Sequence, residues 1–253
     1  FVARDITQMH RANQIRRDFV ANVSHELRTP ITVLRGYLEN MSARKEQCPP
    51  TWRDPVDRMM DHVNRMQSIV EDLLALSKLE QKDDIDNPAS VSVAELIADI
   101  HRQSKSLNKD FEHMFMLEID TELRILGSEK ELHSCFSNLV YNAIHYSGEQ
   151  KLIEIQWYRD DGGAHLAVKD TGPGIEPQHI DRLTERFYRA DKSRNRENGG
   201  TGLGLAIVKH VLTRHNASLH IESELGKGST FRCDFPIESI VKPAAGSDVD
   251  KTA

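Results

Sequence analysis

Two apolar runs in the first 80 residues set the strongest limit on what this chain can fold into. Val20, Val23, Leu27, Ile31, Leu34, Leu38 and Met41 step by three and four, and Trp52, Val56, Met59, Val63, Met66, Val70 and Leu73 repeat the pattern. That spacing is the seam of a helix packed against other helices. Cys48-Pro49-Pro50-Thr51 between the runs breaks the helix and is short enough to make the two helices antiparallel neighbours. A lone two-helix hairpin cannot enclose a core, so the pattern predicts a second copy and a dimeric four-helix bundle.

The stretch Gln81 to Pro88 is polar and ends in proline, and after it the patterning changes. Extended runs at Phe111 to Ile119, Lys151 to Tyr158, Ala164 to Lys169, Ala217 to Glu222 and Thr230 to Phe235 alternate with helical runs at Ala94 to Leu107, Glu129 to Tyr146 and Leu203 to His215. Strands interleaved with helices predict a two-layer α/β domain of about 150 residues. We therefore expect a helical domain over 8–84, an α/β domain over 88–238 and a disordered tail over 239–253.

A content of 38% hydrophobic and 28% charged residues suits a soluble globular chain. The net charge of -6 and pI of about 6.1 give no electrostatic case for a nucleic-acid backbone. No apolar run reaches the roughly 18 residues of a membrane helix. The start, Phe1-Val2-Ala3-Arg4-Asp5, lacks a signal-peptide pattern and reads as the continuation of something longer. Cys48, Cys135 and Cys233 are far apart and form no CxxC pair, the pattern of isolated thiols in a reducing compartment, which points to the cytosol.

Among 12 histidines, His25 is singled out by its face. At about 100° per residue it falls roughly 165° from the seam of its helix, so it is expected to face solvent. Thr29 shares that outer face and Glu26 flanks it. Imidazole is a competent nucleophile near neutral pH, and a neighbouring carboxylate can orient the ring and take its proton. A zinc-binding His-Glu-x-x-His is excluded because position 29 is threonine. Pro30 beside this cluster is expected to bend the helix.

The second half holds three glycine clusters, Asp170-Thr171-Gly172-Pro173-Gly174-Ile175, Gly199-Gly200-Thr201-Gly202-Leu203-Gly204 and Gly226-Lys227-Gly228. The middle one opens a predicted helix whose N–H groups could hold a phosphate. It is no dinucleotide fingerprint, since the polar stretch Arg189 to Arg196 stands where a strand is required, and no GxxxxGK[ST] loop is present. That stretch suits a mobile lid over phosphates or a plain solvated loop. Asn138 and Asn142 lie one turn apart with His145 and Tyr146 just beyond, a row that could complete the coordination of Mg²⁺.

These motifs together resemble the sensor histidine kinases. Phe19 to Pro30 is similar to their H box, Asn138 to Tyr146 to the N box, Asp170 to Ile175 to the first glycine box, Glu185 to Arg189 to the F box, and Gly200 to Val208 to the second glycine box. Within the family, Arg182 to Arg189, and Phe1 to Thr7 as the end of a PAS-like sensor domain, most resemble the phosphate-regulon branch. The resemblance implies a dimerisation and phosphotransfer bundle joined to a Bergerat-type α/β sandwich that binds ATP and Mg²⁺. It implies His25 as phosphoacceptor, Glu26 as its activator and Thr29 as the residue positioning water for dephosphorylation. It implies Asn142 as the Mg²⁺ ligand, with Asn138, His145 and Tyr146 along the phosphates. Asp170 would bond the adenine amino group, with Gly172, Gly174 and Ile175 beside the base. Arg189, Gly200, Thr201, Gly202, Leu203 and Gly204 would enclose the triphosphate. His145 stands where many relatives carry lysine. The partners implied are a second protomer and a response-regulator receiver domain, with the membrane reached only through a further N-terminal part.

Two rivals remain at this point. ATPases of the same nucleotide-binding superfamily place a glutamate one turn before the magnesium asparagine, and here that position is Asn138. A dimeric scaffold that binds ATP only as a switch would carry the same motifs and form no phosphohistidine.

Overall fold

The computed structural model describes residues 7–44, 50–80, 85, 87–109, 111–190 and 200–241, the side chains of 7–22, 25 and 50 excepted. The expected PAS-like end before Thr7, the Pro49 break, Cys48 and residues 242–253 of the expected tail lie outside these. In chain order the elements are α1 (Thr7–Ala43), α2 (Pro50–Leu79), β1 (Ala89–Ser92), α3 (Val93–Asn108), β2 (Met114–Ile119), β3 (Arg124–Gly127), α4 (Glu129–Tyr146), β4 (Leu152–Asp160), β5 (Gly163–Asp170), α5 (Pro177–Ile180), α6 (Gly204–Arg214), β6 (Ser218–Glu224) and β7 (Gly228–Pro236). They divide into two compact units, residues 1–83 with 181–210, and residues 84–180 with 211–253.

In the first unit α1 and α2 pack along a seam of Ile31, Leu38, Val56, Val63, Val70 and Leu74, with Met41 and Met60 against it. The heptad pattern splits in two. Val56, Val63 and Val70, seven apart, are buried, whereas Leu27 and Leu34, and likewise Trp52, Met59 and Met66, stay exposed. One apolar row is thus used inside the hairpin and a second is left over. α1 is continuous through Pro30.

In the second unit a five-stranded sheet runs in the order β2-β4-β5-β7-β6, with β2 and β4 parallel and the other neighbours antiparallel. Strand alternation supplies the core: Ile153, Ile155 and Trp157 of β4 and Phe231, Cys233 and Phe235 of β7 are buried. Leu96, Ile97 and Ile100 of α3, and Leu132, Phe136, Leu139 and Ile144 of α4, complete it. Phe136 and Trp157 each meet the Phe235 ring edge-on at 6.2 Å. Cys135 and Cys233 are free thiols buried in this core.

Three elements have no counterpart in the sequence reading: β1, β3 and the single-turn α5. β1 and β3 pair with each other as a separate antiparallel ribbon, and at four residues each they are too short to show a period. β2 also starts later than expected, at Met114. The Asn108 side chain accepts from His113 N–H at 2.9 Å and donates to His113 C=O at 3.0 Å, holding a turn where an extended run was expected. At the other end order runs on to Val241, since Ile240 bridges Ile125.

Candidate functional site

α4 carries the asparagine row and is held at both ends. Its N-cap Ser128 accepts from Glu131 N–H at 3.4 Å. Ser128 N–H in turn donates to His215 Nε2 at 3.1 Å, while His215 Nδ1 donates to Val211 C=O at 2.8 Å. Towards the other end, His113 Nε2 lies 3.0 Å from Ile144 C=O, and Lys151 N–H donates to His113 Nδ1 at 3.2 Å. Asn138 and Asn142 are half-buried, and Asn138 Nδ2 donates to Ser134 C=O at 2.8 Å. His145 meets the Phe111 ring edge-on at 5.6 Å, its Nδ1 has no hydrogen-bond partner among the described residues, and burial lowers its pKa. Tyr146 is exposed.

Asp170 closes β5 and is buried. Burial raises its pKa, opposed by hydrogen bonds from Gly172 N–H, at 2.8 Å, from the Ser229 backbone and from the Ser147 hydroxyl. The first glycine cluster is fixed by close approach. A Cβ on Gly172 would lie 2.6 Å from Ser147 Cα, and one on Gly174, at φ +74°, would lie 2.2 Å from Glu224 C=O. Ile175 N–H donates to Ser223 Oγ at 2.8 Å, so the cluster is seated on the β6–β7 turn. Backbone and a desolvated acceptor therefore meet without side-chain bulk, an arrangement that suits a flat base with an exocyclic amine.

The second glycine cluster belongs to the other unit, together with Arg189. Arg189 donates to Gly200 C=O at 3.1 Å, and Phe187 N–H donates to Gly202 C=O at 2.8 Å. Phe187 adopts φ +61° with its side chain exposed. The Thr201 hydroxyl accepts from Leu203 N–H at 3.2 Å and donates to Asp72 at 2.7 Å. Gly204 is the first residue of α6. Asp72 and the nearby Glu80 escaped the sequence reading, because nothing local marks two acids on a helix face as partners of a loop about 130 residues away.

On α1, Glu26 and Thr29 are both exposed, as are Leu27, Arg28 and Pro30 beside them. The His25 side chain lies outside the described ones. Among the described residues no group of three or more His, Cys, Asp or Glu side chains could hold a metal ion. A cation at the asparagine row would depend on amide oxygen and on ligands brought by phosphate, a donor set that fits Mg²⁺. No described helix is long and apolar enough to cross a membrane.

Comparison with known proteins matches this geometry. Residues 15–82 match the His Kinase A (phospho-acceptor) domain, and residues 127–239 match the histidine kinase-, DNA gyrase B- and HSP90-like ATPase domain. The chain belongs to the histidine kinases that join these two domains. It is 50% identical over 234 residues to the phosphate regulon sensor protein PhoR of Pseudomonas aeruginosa, covering 92% of this chain and 53% of that protein. It is 40% identical over 240 residues to PhoR of Haemophilus influenzae, covering 95% of this chain and 56% of that one. The chain thus spans about half the length of these curated relatives. A crystal structure of full-length ShkA in complex with AMPPNP shares the fold, with a TM-score of 0.72, 24% identity, and coverage of 90% of this chain and 47% of that one.

Proposed function

We propose that this chain is the kinase core of a PhoR-type phosphate-regulon sensor, transferring the γ-phosphoryl group of ATP to His25 and then to an aspartate of a response regulator. The observation that carries the reading is an exposed segment of the phospho-acceptor helix over residues 26–30, which leaves Glu26 and Thr29 open to solvent. Asn138, standing one turn before Asn142, supplies no carboxylate to activate water. The site is accordingly suited to a nucleophile brought to it.

In this reading the helical domain spans 8–84 and the ATP-binding domain 88–238. Asp170 accepts from the adenine amine, and the backbone around Gly172, Gly174 and Ile175 lies along the base. Asn138, His145, Tyr146, Arg189 and residues 200–204 hold the phosphates. Asn142 holds Mg²⁺, which supplies charge neutralisation on the phosphate oxygens. Glu26 takes the proton from His25, and Thr29 positions water for dephosphorylating the regulator. The leftover apolar row of Leu27, Leu34, Trp52, Met59 and Met66 supports pairing with a second copy. Within a longer sensor, the core works on the cytoplasmic side of the inner membrane.

Incubation with γ-labelled ATP and Mg²⁺ tests the transfer. An acid-labile, alkali-stable label, absent from His25→Gln, is expected. Label persisting in that variant, or no label in either protein despite nucleotide binding, would discard the His25 route in favour of an ATPase or a scaffold.

A further inference from the structure

Asp72 and Leu76 of α2 and Glu80, the residue just past its end whose N–H donates to Leu76 C=O at 3.0 Å, stand four residues apart and so on one stripe. Leu76 is buried, and only 11% of the Glu80 side chain is exposed. The groups that cover the stripe come from one later segment of the same unit. Asp72 accepts from the Thr201 hydroxyl at 2.7 Å, and Glu80 is ion-paired with Arg186 and lies 3.4 Å from His210 Nε2. Two acids on the helix thus meet two basic side chains and a hydroxyl that flank and enter the second glycine cluster. Arg186 and His210 have no part in the nucleotide site proposed above.

We infer that the Asp72–Leu76–Glu80 stripe is an intramolecular docking site that competes with nucleotide phosphate for the second glycine cluster. The inference rests on the reading that residues 200–204 take the phosphates. Thr201 has one hydroxyl proton. Given to Asp72, it cannot also be donated to a phosphate oxygen. A carboxylate within hydrogen-bond reach of the loop also repels a triphosphate through a partly desolvated medium. Nucleotide loading and docking on α2 therefore exclude each other. By linkage, whatever weakens docking must tighten nucleotide binding, by at most the same factor. Since α2 is part of the phospho-acceptor hairpin, loading ATP releases the loop from the helix pair that bears His25. Asp72 and Glu80 are positioning residues that set the ATP concentration at which this happens.

Titration of the full chain with a non-hydrolysable ATP analogue and Mg²⁺, beside Asp72→Asn and Glu80→Gln, tests this. Adenosine, which lacks phosphate, serves as the parallel probe. Asp72→Asn is expected to bind the analogue about tenfold tighter, a coupling of ordinary size, and Glu80→Gln to shift the same way. Adenosine affinity is expected to be equal in all three proteins. Analogue affinity unchanged or weaker in both variants, with the parent binding normally, overturns the docking site and leaves the nucleotide site standing. Equal tightening of adenosine and analogue overturns it too, since phosphate would not be the competitor. A parent that binds no analogue removes the nucleotide reading and this inference with it.

Discussion

His215 shows how much one buried ring can hold. It donates through Nδ1 to Val211 C=O and accepts at Nε2 from Ser128 N–H, so only the neutral tautomer with its proton on Nδ1 serves both bonds. Burial, the largest cause, lowers its pKa below the ordinary value of 6.5. The neutral ring is therefore the folded-state form. Its stabilisation is complete above about pH 6.5 and is lost as pH falls below that value. In urea unfolding followed from pH 7 to 5, the parent is expected to lose stability more steeply than His215→Phe. That variant should itself cost about 1–3 kcal/mol at pH 7, by leaving Ser128 N–H unpaired. Parallel slopes would count against the assignment. Asp170 works in the opposite sense. Burial raises its pKa, so the charge it carries near neutral pH disfavours the fold, and its contribution to stability falls as pH rises through the folded value. Asp170→Asn is expected to unfold at higher urea than the parent at pH 7, yet to bind an ATP analogue tenfold or more weakly, about the worth of one hydrogen bond to a charged group. The resemblance already implied the nucleotide role of Asp170, whereas its burial and the role of His215 were not open to sequence alone. Asp170 was marked by its glycines, but His215 was one histidine of 12, and its partners come from α6 and from the cap of α4, 87 residues away.

The two long helices behave as their period dictates, and the way the period is shared is what the structure adds. Val63 sits in the buried row at 5% exposure, while Leu34 at 49% and Met59 at 42% lie in the other. Val63→Ala should cost the hairpin about 1–3 kcal/mol through a cavity, measurable by thermal unfolding. Leu34→Asp and Met59→Asp should leave helicity intact by circular dichroism but convert a dimer to a monomer in sedimentation at micromolar concentration. A dimer that survives both substitutions would refute the four-helix assembly. α4 was legible to the residue, Glu129 to Tyr146, because its apolar period and its Ser128 cap agree. β1 and β3 were not, since each exists through its pairing with the other. The long strands β4 and β5 fall within a residue or two of their expected bounds, β7 starts two residues earlier than expected, and β2 loses its first three residues to the Asn108 turn.

In the whole molecule, chemistry is divided between segments that local pattern identifies and contacts that only the folded chain creates. The five motif boxes mark the phospho-acceptor, the asparagine row and the glycine clusters because each needs particular residue types at fixed short spacing, and such spacing is written in the chain. The family resemblance followed from these boxes, while the helical-then-α/β order was already written in the apolar periods and the polar break ending at Pro88. Contacts such as Thr201 with Asp72, or Glu80 with Arg186 and His210, join positions more than 100 residues apart. Their residue types are ordinary for solvated helix faces and loops, so no spacing rule singles them out. The same holds for the strand order and for which of two apolar rows the hairpin buries. The sequence by itself determined the local periods, the breaks and the reactive side chains, because these depend on neighbours within a turn or two. The tertiary structure alone decided which distant groups lose their water together, and burial of that kind is what raises the pKa of Asp72 and Asp170 and lowers that of His215.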